Sequence, residues 1–177
     1  MKRCTTRSDL NQVRFRFDYE CIGFGLDEIK SIIRENEIVS YSIPIGQSLT
    51  TTWNFRLNFR NLVCIEFFSR ANAVSGWDET GSIVLRLADV AADDARSGVF
   101  ETRLISGFNV DSVSLLVYQE DQINSECGMI FREKYGREMI VAAGVSPGSV
   151  SICADFSGDI FAPEHSLSKY CESHLFN

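Results

Sequence analysis

Apolar residues fall on alternate positions along most of this chain. Val13, Phe15, Phe17 and Tyr19 alternate with Arg14, Arg16, Asp18 and Glu20, a period of two that predicts a strand with one wet face. Gly23-Phe24-Gly25 breaks the pattern. Over 26–36 the period changes, because Leu26, Ile29, Ile32 and Ile33 share one face of a helix. Asp27 and Glu28 fall in its first turn and Arg34 in its last, which suits the helix dipole, and Asn36 is the expected terminator. Val39, Tyr41 and Ile43 then alternate with serines as far as Pro44, predicting a second strand.

The strongest alternation runs over 51–69. Trp53, Phe55, Leu57 and Phe59 alternate with Asn54, Arg56, Asn58 and Arg60, and 62–68 is apolar on both faces except at Glu66. A two-residue turn at Arg60-Asn61 would set Phe59 opposite Leu62, Leu57 opposite Cys64 and Phe55 opposite Glu66. That register puts Glu66 on the apolar face, where a carboxylate costs several kcal/mol unless paired. Either an arginine or another donor meets Glu66, or a three-residue turn moves it to the other face.

Further strands are expected at 82–88, 99–105, 113–118, 129–134, 139–143 and 150–156, separated by turns such as Ser146-Pro147-Gly148-Ser149. Pro163 suits the first position of a closing helix whose Leu167, Tyr170, Cys171 and Leu175 share one face. The expected class is α+β: a mainly antiparallel sheet of about nine strands, strongly curved or split, with one early helix and one C-terminal helix.

Length and charge narrow this further. The 177 residues fit a single domain, 1–177. Residues 1–16 carry a balance of +4 within a formal net charge of −7, leaving −11 on the remainder. Residues 1–11 read as a flexible basic arm. The acidic balance argues against a nucleic-acid partner, and the basic–aromatic alternation at 14–17 is what any half-wet strand produces. No apolar run reaches the roughly 18–20 residues of a membrane span, so no membrane partner is expected. The N-terminus lacks an apolar h-region, which predicts a cytoplasmic protein. Six cysteines, none in a CxxC pair, read as free and mostly buried thiols.

Familiar chemistries find little support. His165, Cys171 and His174 give three possible metal ligands on one element, short of the four of a structural zinc site, so no metal or cofactor is expected. No nucleophile elbow occurs, and Gly23-Phe24-Gly25 lacks the remaining residues of a phosphate loop. Paired carboxylates, among them Asp78/Glu79 and Glu120/Asp121, lie in or beside loops. They leave open a small hydrolase with a carboxylate-based site, and exposed sheet edges leave open a non-catalytic scaffold or oligomerisation module.

The acid is concentrated in two loops, one with Asp89, Asp93 and Asp94, the other with Glu120, Asp121 and Glu126. An acidic surface suits a cationic protein partner, through faster encounter and charge selection. The residues over 136–170, with Glu138-Met139-Ile140-Val141-Ala142-Ala143, Ser146-Pro147-Gly148-Ser149-Val150-Ser151-Ile152, Pro163-Glu164 and Tyr170, resemble the closing part of small bacterial proteins. Several of these are immunity proteins encoded beside contact-dependent or other polymorphic toxins. The resemblance implies a stoichiometric, non-enzymatic binder that neutralises a cognate toxin, such as a cationic nuclease domain. The six acidic residues of the two loops are its expected contact set.

Overall fold

The alternating stretch that opens the chain is divided between two sheets. The computed structural model describes residues 2–3, 15–75, 78–89, 99–120 and 122–176. In chain order its strands are Lys2–Arg3 (β1), Phe15–Phe17 (β2), Glu20–Ile22 (β3), Ile38–Pro44 (β4), Phe55–Phe59 (β5), Val63–Ser75 (β6) and Asp78–Asp89 (β7). They continue as Phe100–Phe108 (β8), Ser112–Glu120 (β9), Ile123–Arg132 (β10), Glu138–Ala143 (β11), Val150–Cys153 (β12) and Tyr170–Phe176 (β13). One sheet has seven strands, in the order β1-β13-β9-β10-β11-β12 with β2 also on β10. The other has six, in the order β3-β7-β6-β5-β4-β8, and neither closes on itself. The short strands β1, β2 and β3 join in parallel, whereas the remaining pairs are antiparallel. The expected antiparallel, split architecture with an early helix is present, with more strands than the nine expected.

The core lies between the sheets. Phe55, Leu57, Ile65 and Phe67 of the six-stranded sheet face Leu115, Met129, Phe131 and Val141 of the other. Phe67 meets Phe131 edge-on, at 5.9 Å between centroids and 87° between planes. The helix Leu26–Glu35 (α1) adds Ile29 and Ile33 to this core, both 1% exposed. Asn36 ends the helix by a different route from the left-handed cap expected. Its backbone is extended, and its side-chain amide donates to the carbonyl of Ile32 at 3.0 Å, satisfying a terminal acceptor. The seven-stranded sheet is buried on its outer face too, where Leu116, Tyr118, Ile130, Ile140 and Tyr170 form a second cluster. Burial on both faces explains why β9, β10 and β11 read as apolar runs without alternation.

Two elements differ from expectation. The hairpin β5–β6 pairs Leu57 with Ile65 and Arg56 with Glu66, one residue away from the two-residue-turn register. The turn uses three residues, Arg60, Asn61 and Leu62, and Leu62 takes the left-handed conformation with φ 65° while its N–H donates to Phe59 O at 3.1 Å. Glu66 thereby leaves the core face. A leucine in that conformation costs about 1–2 kcal/mol. Leu62→Gly is expected to raise folding stability by about 0.5–1 kcal/mol after the entropy of glycine is subtracted; urea denaturation checks this.

The second difference is at the C-terminus, where the closing helix is a strand. Only Leu167–Lys169 makes a turn of 3-10 helix, and Pro163 is extended, bridging Gly144. β13 lies between β1 and β9, so sheet pairing satisfies its backbone and its two faces serve different layers. Cys171 faces the inter-sheet core and Tyr170 the outer cluster. Helical spacing at 167, 170, 171 and 175 was coincident with that two-sided burial. Cys171 is disulfide-bonded, contrary to the expectation of free thiols, whereas Cys21, Cys64, Cys127 and Cys153 are free. Disulfides belong mainly to oxidising compartments, so the cysteines lend no support to a cytoplasmic location. No helix among the described residues is long and apolar enough to cross a membrane.

Candidate functional site: an acidic cleft where the sheets meet

At Gly81 the backbone of β7 comes up against the seven-stranded sheet. Its N–H donates to Glu164 Oε2 at 2.7 Å, and its carbonyl accepts from Ser125 Oγ at 2.7 Å. A Cβ placed on Gly81 would stand 2.5 Å from Ala143 Cβ, 2.7 Å from Ser69 Oγ and 2.8 Å from Glu164 Oε2. Only glycine permits this approach.

Beside the contact opens a cleft of about 250 Å³. Ser69 of β6 and Thr80 and Gly81 of β7 line one side, and Gly144, Val145 and Gly148 the other. Asp78 and Glu79 stand at its rim, exposed, and Glu164 lies within, its side chain 18% exposed. The far wall is a tight turn: Ser149 N–H and Oγ both reach Ser146 O, at 3.0 and 2.6 Å, and Gly148 takes φ 82°. Open space beyond Gly148 is limited by the half-exposed ring of Trp53.

Among the described residues no lysine or arginine pairs with Asp78, Glu79 or Glu164. The cations at this end are engaged elsewhere: Arg70 with Glu20 at 2.5 Å, Arg16 with Asp18 at 2.7 Å, and Lys169 with Glu120 at 2.8 Å. Burial, reinforced by Glu79 and opposed by the Gly81 N–H, holds the Glu164 carboxyl above the usual glutamate range. His165 follows Glu164, with Nε2 3.7 Å from Glu164 Oε1 and 3.4 Å from Thr80 Oγ1. Its ring stacks on Tyr118 at 3.7 Å between centroids, and its backbone N–H donates to Tyr170 Oη at 3.1 Å. Burial and Lys169 push the imidazole below its ordinary pKa, against Glu120, so it is neutral near pH 7 and does not offset the nearby acid.

The structure divides the expected contact set. Tyr118 Oη donates to Glu120, which also binds Lys169 Nζ; these two donors hold its carboxyl below the usual range, Lys169 first. Glu120 therefore stands one stacked pair of rings from Glu164. Glu126 is also at this end, where its Oε2 accepts the Tyr19 N–H at 2.8 Å and ties down the passage from β2 to β3. Asp89 closes the opposite end of β7, eight residues and roughly 26 Å of strand from Gly81. Asp93, Asp94 and Asp121 lie outside the described residues. In place of the 89–94 loop, the cleft contributes Asp78, Glu79 and Glu164. No group of three or more His, Cys, Asp or Glu among the described residues could hold a metal ion.

A second charged group lies on the outer face of the six-stranded sheet. Glu66 is 0% exposed, with Arg56 Nη2 2.5 Å from Oε1 and Arg86 Nε 2.5 Å from Oε2. Arg56 lies over the Phe100 ring at 3.5 Å, and Asn58 donates to Ser40 and Ser42 at 3.0 and 2.9 Å. These polar groups pair across adjacent strands, in the manner of a structural network.

Compared with known proteins, the chain matches no family model, no curated protein and no solved structure.

Proposed function

We propose that this protein is a stoichiometric binder that neutralises a cationic protein, in the manner of an immunity protein against a cognate toxin. The observation that supports the reading is the convergence of Asp78, Glu79 and Glu164 on one cleft with no lysine or arginine paired to them among the described residues. Unneutralised carboxylates at a half-buried site repel one another. A partner's cations relieve that repulsion and are drawn in by it.

Binding is tested with the purified toxin domain encoded directly upstream. The reading expects a 1:1 complex whose association rate falls steeply between about 0.05 and 0.5 M salt, as the Debye length contracts to a few ångströms. Asp78→Lys with Glu79→Lys should slow association by about tenfold at low salt and flatten the salt dependence. Absence of a complex, or an unchanged rate in that variant, contradicts the reading.

The raised carboxyl of Glu164 favours one other reading, a hydrolase using Glu164 as general acid. A general acid requires the proton itself. Glu164→Gln would then abolish turnover, whereas in the binder it only weakens association.

A further inference from the structure

The outer edge of β8 is bare, and its sequence is complementary to itself. β8 ends the six-stranded sheet and pairs only with β4 among the described residues. Exposed edges are templates for further pairing and are normally blunted, yet Leu104 here is 86% exposed and Val99 52%. The N–H of Ile45 donates to Val99 O at 3.0 Å, which turns the polar groups of Val99 toward β4. These groups alternate along a strand, so those of Glu101 and Arg103 also face β4. Those of Phe100, Thr102 and Leu104 face outward, where no strand among the described residues meets them. Pro44 lies opposite Phe100 and has no N–H to give, which agrees with this phase. Past Ile105 the edge is closed, because Arg137 donates to the carbonyls of Ser106 and Gly107.

We propose that β8 is a dimer seam, to which a second copy of this chain adds its own β8 antiparallel, with Thr102 on the two-fold axis. In that register Phe100 of one copy lies opposite Leu104 of the other, and Thr102 opposite Thr102. All three residues face the edge, so each pair exchanges two backbone hydrogen bonds. Glu101 then stands opposite Arg103 of the second copy, twice over by symmetry, in the position where cross-strand side chains lie closest. The neighbouring registers are excluded by charge, because centring on Glu101 or on Arg103 sets that residue against its own copy. Both faces of the strand permit the approach. Thr102 and Phe100 lie on the outer face, where Thr102 Oγ1 is 2.8 Å from Ser42 Oγ and Phe100 carries the Arg56 guanidinium at 3.5 Å. Glu101 and Arg103 lie on the other face, 2.9 Å apart, with side chains 45% and 52% exposed, so the seven-stranded sheet does not cover them. The seam is independent of the binding reading above. β7 with its cleft is four strands away, roughly 19 Å, and each protomer keeps its own cleft.

Sedimentation equilibrium of the full chain tests the seam. The average mass should rise with concentration toward twice that of the chain, with a dissociation constant on the order of 10 μM, since the seam is small beside a standard interface. Glu101→Arg alone and Arg103→Glu alone should each weaken self-association by about tenfold, because both symmetric contacts become repulsive. Mixed in equal amounts, the two variants should associate with each other within about threefold of the wild-type strength, since each supplies the charge that the other has lost. Thr102→Pro removes an outward N–H and leaves the hydrogen bonds to β4 in place, so it should be folded by circular dichroism and monomeric. The mixture of charge variants decides the question without the proline variant. A wild-type chain that stays monomeric up to about 200 μM overturns the seam. So does a dimer that both charge variants leave intact, or a mixture of the two that does not associate.

Discussion

Glu66→Ala is expected to cost about 3–5 kcal/mol of folding stability, because it leaves Arg56 buried without its counter-charge. Arg56 is 7% exposed and approaches Glu66 to 2.5 Å from within the sheet. Arg86, on the other side of Glu66, has a half-exposed side chain that can turn to water. Arg86→Ala should therefore cost less than either Arg56→Ala or Glu66→Ala. The double change Arg56→Met with Glu66→Leu removes both buried charges together and should be less destabilising than Glu66→Ala alone. Urea denaturation of the four variants gives the ranking. Equal losses for Arg86→Ala and Glu66→Ala would show that the network's energy lies in its exposed half.

Gly81→Ala is the second large effect, and it links stability to the cleft. The added methyl overlaps Ala143 Cβ, Ser69 Oγ and Glu164 Oε2, so the sheets must separate locally or a strand must shift. A cost of about 2–3 kcal/mol is expected. Ala143→Gly in the same chain removes the nearest clash. The double variant should then be at least about 1 kcal/mol more stable than the sum of the two single changes predicts. Additivity within a few tenths of a kcal/mol would mean that β7 does not approach β11 as closely as described.

Local pattern gave the helix at 26–35, the strand at 38–44 and the split, mainly antiparallel sheet, because each follows from a period that one or two layers of neighbours impose. It left the register at β5–β6 open between a two- and a three-residue turn, because Leu62 is an apolar residue that enters a left-handed turn position, which its side chain disfavours. The slip mattered chemically. One residue moved Glu66 from the phenylalanine face to the arginine face, the alternative left open by the cost of a buried carboxylate. At the other end, β13 was read as a helix because its two faces pack into different clusters, which removes the alternation that marks a half-wet strand.

The cleft was less legible than the fold. Asp78 and Glu79 stood out as a carboxylate pair, yet their partner Glu164 is 85 residues away, and only the meeting of β7 with the segment after β12 brings them together. The one local signal was Gly81, set between Thr80 and Ser82. A glycine inside a strand marks either a bulge or a close approach of backbone, and here it marks the approach. Likewise, Glu120 and Asp89 looked equivalent as members of acidic loops, and strand length alone places them at different ends.

The central claim is that the acidic end neutralises a cationic partner, and the most direct measurement is growth of cells that express the upstream toxin domain together with this protein. The account predicts that the wild-type chain restores growth. It also predicts that the combined variant Asp78→Lys, Glu79→Lys and Glu164→Gln, folded and present at equal level, does not. Cells that die in the presence of the wild-type chain, or that are rescued equally by the variant, would contradict it.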